Sequence, residues 1–318
     1  MTALQAIVLG LVQGITEFFP ISSSAHLLLV PWLFGWHLYA GLPMQQTLDL
    51  EKTFDVALHA GTFLAVLVLM RVDIVRILRA FFGSIYRRKV ETRDEKLAWL
   101  LLISTIPAGI VGVAFESFIE DTLGQPWLMA ILIIGFGFVM WAADSLAPGG
   151  SRARTVSYQT DGGGGSAAVA PAPATVAVEA KTLASLRWYH ALFVGVAQAA
   201  ALAPGVSRSG VTLSALRGLG VTRDEAVRYA FLLTIPIIGG SALYKGLKVA
   251  AGTGLPAGST LPFVLGILTA LVSGYFAARF LLGWLRHHSL RGFVWYRFAF
   301  GVLILVLIAT GVRAATIG

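Results

Sequence analysis

The sequence carries little charge for its size. Asp, Glu, Lys and Arg make up only 13% of its 318 residues, whereas hydrophobic residues make up 57%. This composition excludes an ordinary soluble globule and is typical of a polytopic membrane protein. A net charge of +8 would suggest nucleic acid as a partner in a soluble protein. Here the basic residues lie in short loops between apolar runs, so they mark the cytoplasmic side and we expect no nucleic-acid partner.

Cysteine is absent from the chain. Its absence excludes disulfides, thiolate metal sites and a cysteine nucleophile, and it leaves the redox compartment undetermined. The N-terminus, Met1-Thr-Ala-Leu-Gln-Ala, also lacks the basic segment of a signal peptide. We therefore expect the first apolar stretch to be retained.

Long apolar runs predict an all-α integral membrane protein, because lipid tolerates no unpaired backbone and a span needs roughly 20 apolar residues. About six spanning helices are expected, at 54–70, 97–115, 127–146, 227–249, 261–283 and 294–313. Two further apolar stretches, 2–35 and 185–219, are broken near the middle by Pro20 and by Pro204-Gly205. Each predicts a re-entrant hairpin of two half-helices that meet at a polar turn.

The two polar turns are related in sequence at an offset of 185 residues. At this offset Gly10 aligns with Gly195, Gln13 with Gln198, Ser22 with Ser207, and Ser24 with Ser209. The offset predicts an internal repeat with halves 1–146 and 183–318, joined by a hydrophilic, flexible cytoplasmic linker at 147–182. Basic residues put the 71–96 loop in the cytoplasm, so the halves have inverted topology and their broken tips can meet near the midplane.

The second turn, Pro204-Gly-Val-Ser-Arg-Ser-Gly-Val-Thr212, resembles an anion site. Arg208 offers a planar fork of donors suited to phosphate. The half-helix that follows presents free N–H groups, and Ser207, Ser209 and Thr212 add hydroxyl donors. The alternative is a Pro/Gly kink with capping serines and an arginine that snorkels to water.

The first turn supplies what hydrolysis requires. Gln13 and Glu17 share a helical face, and Pro20 lets the turn fold Glu17 toward Ser23 and His26. His26 is a candidate general acid or base, and Ser23 a candidate nucleophile or phosphate contact. Glu17 could orient His26, hold a divalent cation or position water.

The alternative for this first turn is structural. Ser22 and Ser24 would then cap a helix, His26 would be satisfied in the core, and Glu17 would pair with Arg208 for structure alone. A nearby i, i+4 pair, Asp55 and His59, either supports the site or marks the interfacial start of a helix.

Both motifs resemble those of the bacterial undecaprenyl-diphosphate phosphatase family of the bacitracin-resistance type. The first is Glu17-Phe-Phe-Pro-Ile-Ser-Ser-Ser-Ala-His26, preceded by Gln13 where many members have Glu, and the second is Pro204 to Thr212. Segments beginning at Phe54 and Phe231 are also similar, so the resemblance covers most of the chain apart from the linker.

The resemblance implies an inner-membrane hydrolase that converts undecaprenyl diphosphate to undecaprenyl phosphate and inorganic phosphate, recycles the cell-wall lipid carrier and confers bacitracin resistance. It implies that Glu17, His26 and Ser23 are catalytic. The substrate contacts would be Arg208, Ser207, Ser209, Thr212, Ser22 and Gln13. It further implies a divalent cation, Mg²⁺ or Ca²⁺, with Glu17 as a ligand, and leaves room for a homodimer.

A transporter or flippase of an anionic isoprenoid lipid is the alternative function. Inverted repeats with broken helices are transporter architecture, and fold alone does not separate the two. The acid–base pair of Glu17 and His26 favours the hydrolase, because an anion carrier has little use for it.

Overall fold

The computed structural model describes residues 1–39, 41, 43–147, 180–251 and 259–316, and within these ranges the regular elements are helices. The helices of the first part are α1 (Ala3–Phe18), α2 (Ser23–Phe34), α3 (Met44–Leu69), α4 (Arg71–Arg87), α5 (Arg93–Leu123) and α6 (Pro126–Leu146). Those of the second part are α7 (Trp188–Ala199), α8 (Arg208–Gly218), α9 (Arg223–Ala251), α10 (Thr260–Trp284) and α11 (Arg291–Ala309). The all-α prediction is confirmed.

Among the described residues, five segments are long and apolar enough to cross a membrane. They are Gln46–Leu69, Arg93–Phe115, Pro126–Leu146, Thr260–Trp284 and Arg291–Ala309. Each contains or largely overlaps one of the predicted spans. The sixth predicted span, 227–249, lies within α9, a helix of 29 residues.

The predicted hairpins are present, with their breaks where proline and glycine interrupt the sequence. α1 ends at Phe18, and α2 begins only at Ser23. In the second hairpin, a short 3₁₀ turn follows α7, and α8 begins at Arg208.

The predicted loop at 71–96 is largely helical, which is a correction. α4 occupies Arg71–Arg87, with Asp73 in its first turn and Arg87 in its last. Its exposed apolar residues recur at helical spacing: Val72, Val75, Leu78, Phe82 and Ile85. An apolar stripe beside basic residues is typical of an interfacial helix.

The first arm of each hairpin packs closely against a helix from the other part of the chain. α1 lies along α10, and α7 lies along α5. A Cβ added to Gly10 would come within 2.5 Å of the Gly266 carbonyl oxygen, and one added to Gly195 within 2.7 Å of the Ser104 carbonyl oxygen. Small residues permit this close approach of backbones in membrane bundles.

The second arms lie beside α6 and α11, which pack against each other. α8 contacts α6, and His26 of α2 stacks on Phe300 of α11. The division into halves 1–146 and 183–318 stays a prediction, and residues 148–179 of the predicted linker lie outside the described residues.

Candidate active site

The two polar turns have the same unusual backbone conformation at equivalent positions. Ser22 and Ser207, which are 185 residues apart, both have a φ of 78°. A positive φ is uncommon outside glycine, and such strain persists only where the surrounding structure enforces it. The turns are therefore repeated in geometry as well as in sequence.

The tips of the two turns touch, as the sequence predicts. The Gly205 N–H donates to the Ser22 hydroxyl oxygen at 3.0 Å, and the Ser209 hydroxyl donates to the Phe19 carbonyl at 3.2 Å. Ser207 caps α8 by accepting a hydrogen bond from the Gly210 N–H at 3.1 Å. The first two bonds hold the hairpins together, and the third satisfies one free donor at the start of α8.

Glu17 is the centre of the candidate site. One carboxylate oxygen accepts a hydrogen bond from the Arg208 guanidinium. The other accepts from the Gln13 amide at 3.0 Å and from the Ser23 hydroxyl at 2.6 Å. His59 Nε2 lies 3.5 Å from this second oxygen. Both turns, α1 and α3 therefore converge on one carboxylate.

Burial around Glu17 is graded. The glutamate side chain is 3% exposed, Arg208 is 21% exposed and His59 is 29% exposed. The guanidinium and the imidazole are thus accessible from outside, whereas the carboxylate is withdrawn. Arg208 turns inward to Glu17 rather than snorkelling away, so that part of the alternative for the second turn is wrong. The serine capping that the alternative also included is present at Ser207.

His26 lies apart from the Glu17 cluster. Its Nδ1 is 2.7 Å from the Ser22 carbonyl oxygen, and its Nε2 is 2.7 Å from the Tyr296 hydroxyl. Since a carbonyl only accepts, Nδ1 carries a proton, and in the neutral ring Nε2 then accepts from Tyr296. The expectation that the turn folds His26 against Glu17 and Ser23 is not met, because α2 directs the ring toward α11. Its catalytic role stays a prediction.

His59 takes the place beside Glu17 that the sequence suggested for His26. Its Nδ1 donates to the Asp55 carbonyl at 2.7 Å, which directs Nε2 toward Glu17. The i, i+4 spacing of Asp55 and His59 was the available signal. Their proximity to Glu17 depends on how α3 packs against α1, which no local pattern specifies.

Two buried polar atoms of the predicted substrate contacts lack a hydrogen-bond partner among the described residues. They are Gln13 Oε1 and Thr212 Oγ1. Thr212 is 1% exposed, and Gln13 is fully buried. Buried polar groups are usually satisfied, so both atoms are candidates for contact with a ligand. Ser22 and Ser24 form a 3.4 Å hydroxyl pair that mirrors the 3.2 Å pair of Ser207 and Ser209.

Comparison with known proteins identifies the family of the chain. Residues 6–303 match the family model described as "Bacitracin resistance protein BacA". The chain belongs to the BacA family. Similar proteins from several bacteria are named undecaprenyl-diphosphatase. The protein of Pelobacter propionicus is 39% identical over 313 residues, covering 98% of this chain and 99% of the relative.

Two other relatives agree in name and extent. The undecaprenyl-diphosphatase of Desulforudis audaxviator is 40% identical over 307 residues, covering 96% of this chain and 98% of its own. That of Geobacter sulfurreducens is 37% identical over 306 residues, with the same coverage, 96% and 98%. This BacA-family chain is therefore a multi-pass membrane protein of a lipid-phosphatase family, and both of its polar turns lie within the matched region.

Proposed function

We propose that this chain is a phosphatase of the bacterial plasma membrane that hydrolyses undecaprenyl diphosphate to undecaprenyl phosphate and inorganic phosphate, and so recycles the cell-wall lipid carrier and confers bacitracin resistance. The observation that carries the proposal is that the Glu17 carboxylate accepts hydrogen bonds from Ser23 of one turn and from Arg208 of the other. A base, a hydroxyl nucleophile and a phosphate-binding cation are the elements of phosphoryl transfer to a side chain.

The second turn binds the diphosphate. α8 begins at Arg208, so its first N–H groups and its positive dipole end face the anion together with the guanidinium. Ser207, Ser209 and Thr212 supply hydroxyl donors from the same segment. The phosphate competes with Glu17 for Arg208, and its binding frees the carboxylate to act as a base.

The first turn performs the chemistry. The Ser23 oxygen attacks the terminal phosphorus, its proton passes to Glu17, and the bond to the lipid phosphate breaks to release undecaprenyl phosphate. Water then attacks the phosphoserine, and Glu17 returns its proton to the Ser23 oxygen as inorganic phosphate leaves. His59, 3.5 Å from the carboxylate oxygen, relays protons between Glu17 and water.

The oxygen atoms at the candidate site fit a divalent cation that would also contact the substrate. Mg²⁺ is commonly held by one or two carboxylates together with substrate phosphates. Glu17 offers the carboxylate, and Gln13 offers a buried oxygen without a partner among the described residues. No cluster of three His, Cys, Asp or Glu residues in the described ranges could hold a metal unaided. When bound, Mg²⁺ or Ca²⁺ would neutralise charge on the diphosphate.

The test uses undecaprenyl diphosphate labelled with ³²P in the terminal phosphate, incubated with purified protein and quenched in acid. We expect labelled phosphoserine at Ser23 in the parent and none in Ser23→Ala, which also loses phosphate release. Phosphate release by Ser23→Ala at the parent rate would instead mean direct attack by water. A parent that releases no phosphate would contradict the proposal and favour the flippase.

The predicted homodimer and the absence of a nucleic-acid partner stay predictions.

A further inference from the structure

Arg297, on α11 and outside both motifs, joins the two polar turns. The residue is 1% exposed. Its Nη1 donates to the Pro20 carbonyl at 3.2 Å and its Nη2 to the Gly205 carbonyl at 2.7 Å. Its Nε donates to the Ile133 carbonyl of α6 at 2.9 Å. One planar guanidinium therefore bonds the first turn, the second turn and a neighbouring helix.

The choice of partners distinguishes Arg297 from a buried structural ion pair. Among the described residues its donors go to backbone carbonyls and not to a carboxylate. Arg217, which is equally buried, pairs with Asp144 at 3.1 Å. A charge inside a membrane protein is costly and marks function by default. The helix breaks leave the Pro20 and Gly205 carbonyls without helical partners, and the Arg297 guanidinium donates hydrogen bonds to both.

The turns need such support, because few bonds join them directly. Apart from the contact between Arg208 and Glu17, the direct links are the Gly205 and Ser209 hydrogen bonds described above. Ser22 and Ser207 hold positive φ angles, a conformation that relaxes unless neighbouring groups enforce it. The Arg297 fork contacts the backbone two residues before each of these serines.

The residue before Arg297 supports the first turn from the same helix. The Tyr296 hydroxyl bonds His26 Nε2 at 2.7 Å, and Phe300 stacks on the His26 ring with centroids 4.5 Å apart. Tyr296 and Phe300 of α11 thus hold the His26 side chain of α2. Arg297 of the same helix holds backbone carbonyls of both turns.

We propose that Arg297 is a positioning residue that ties the two polar turns into one unit and thereby sets the separation of Glu17 from Arg208. The proposal deepens the proposed function, and it rests on that function only for its effect on turnover. The effect on the turns follows from the contacts alone.

The absence of cysteine allows a direct distance measurement. Phe34, at the end of α2, is exposed, and a Cβ added to Gly218, at the end of α8, meets nothing within 4 Å. Spin labels on Phe34→Cys and Gly218→Cys report how the second arms of the two hairpins lie relative to each other. We expect a narrow distance distribution in the parent and a broad one in Arg297→Gln.

Turnover provides the second readout. A misplacement of about 1 Å can cost about 10²-fold in rate, so we expect Arg297→Gln to lose about that factor in kcat. Arg297→Lys keeps the charge but not the fork, and should be intermediate in both readouts. Arg223→Gln is the matched control: it removes an arginine from Asp144 and should leave the distances and kcat near parent values.

Parent-like distances and kcat in Arg297→Gln would overturn the proposal. So would failure of both Arg297 variants to accumulate in the membrane while Arg223→Gln accumulates, because Arg297 would then be a folding requirement. If the parent released no phosphate and the distance distribution still broadened in Arg297→Gln, the positioning role would stand and the proposed function would be rejected.

Discussion

Neutralising both members of the Glu17–Arg208 pair separates a structural role of the pair from a catalytic one. With the carboxylate 3% and the guanidinium 21% exposed, Glu17→Gln or Arg208→Gln alone leaves a charge largely withdrawn from water. Breaking a buried pair costs about 3–5 kcal/mol, and we expect the lower end because Arg208 is partly exposed. The double variant leaves no uncompensated charge, so we expect it to recover much of that loss.

Catalysis should respond differently from stability. Removing one donor to a developing negative charge lowers kcat by about 10²–10³, or about 2.7–4 kcal/mol. The double variant lacks both the proposed phosphate-binding guanidinium and the proposed base, so its kcat should stay at least about 10²-fold below the parent. The assay is phosphate release and the thermal unfolding midpoint in detergent, read on the same four preparations. If phosphate release recovered together with the midpoint in the double variant, the pair would be structural only and the reasoning would be refuted.

Three further changes test individual contacts. His59→Gln should lower kcat by about 10²-fold with an unchanged thermal midpoint, whereas His26→Ala should lower both because it removes a buried imidazole that stacks on Phe300 and bonds Tyr296; equal effects of the two on stability would contradict this. Gln13→Glu adds a second carboxylate at the proposed cation site, so after chelation it should need less Mg²⁺ for half-maximal phosphate release, and an unchanged titration would argue against that site. Thr212→Val removes a buried hydroxyl that has no partner among the described residues, and should raise KM for the lipid without lowering the thermal midpoint; an unchanged KM would exclude it as a substrate contact.

The hairpins and their meeting point follow from the sequence because their causes are local. Pro20 and Pro204-Gly205 interrupt apolar runs. Proline and glycine at such positions end a helix. Glu17 and Arg208 are charges that lipid does not tolerate alone, so an internal repeat that brings the turns together also pairs them. The structure confirms that contact.

Other features depend on tertiary packing that carries no local signal. His59 reaches Glu17 only because α3 packs beside α1. Arg297 resembles any basic residue near the start of a helix, although its partners lie as far as 277 positions away in sequence. The repeat is also incomplete in its contacts: Gln13 binds Glu17, whereas its counterpart Gln198 donates to the Ser104 carbonyl at 3.3 Å. Sequence equivalence therefore does not predict which half of a repeat retains a polar contact.

The measurement that tests the central claim most directly is phosphate release from undecaprenyl diphosphate by the purified protein in sealed liposomes, with transbilayer movement of the lipid followed at the same time. We predict one phosphate and one undecaprenyl phosphate for each diphosphate consumed, and loss of both products in Arg208→Ala and Ser23→Ala. Movement of intact undecaprenyl diphosphate across the bilayer without phosphate release would contradict the claim that the two turns form a hydrolytic site.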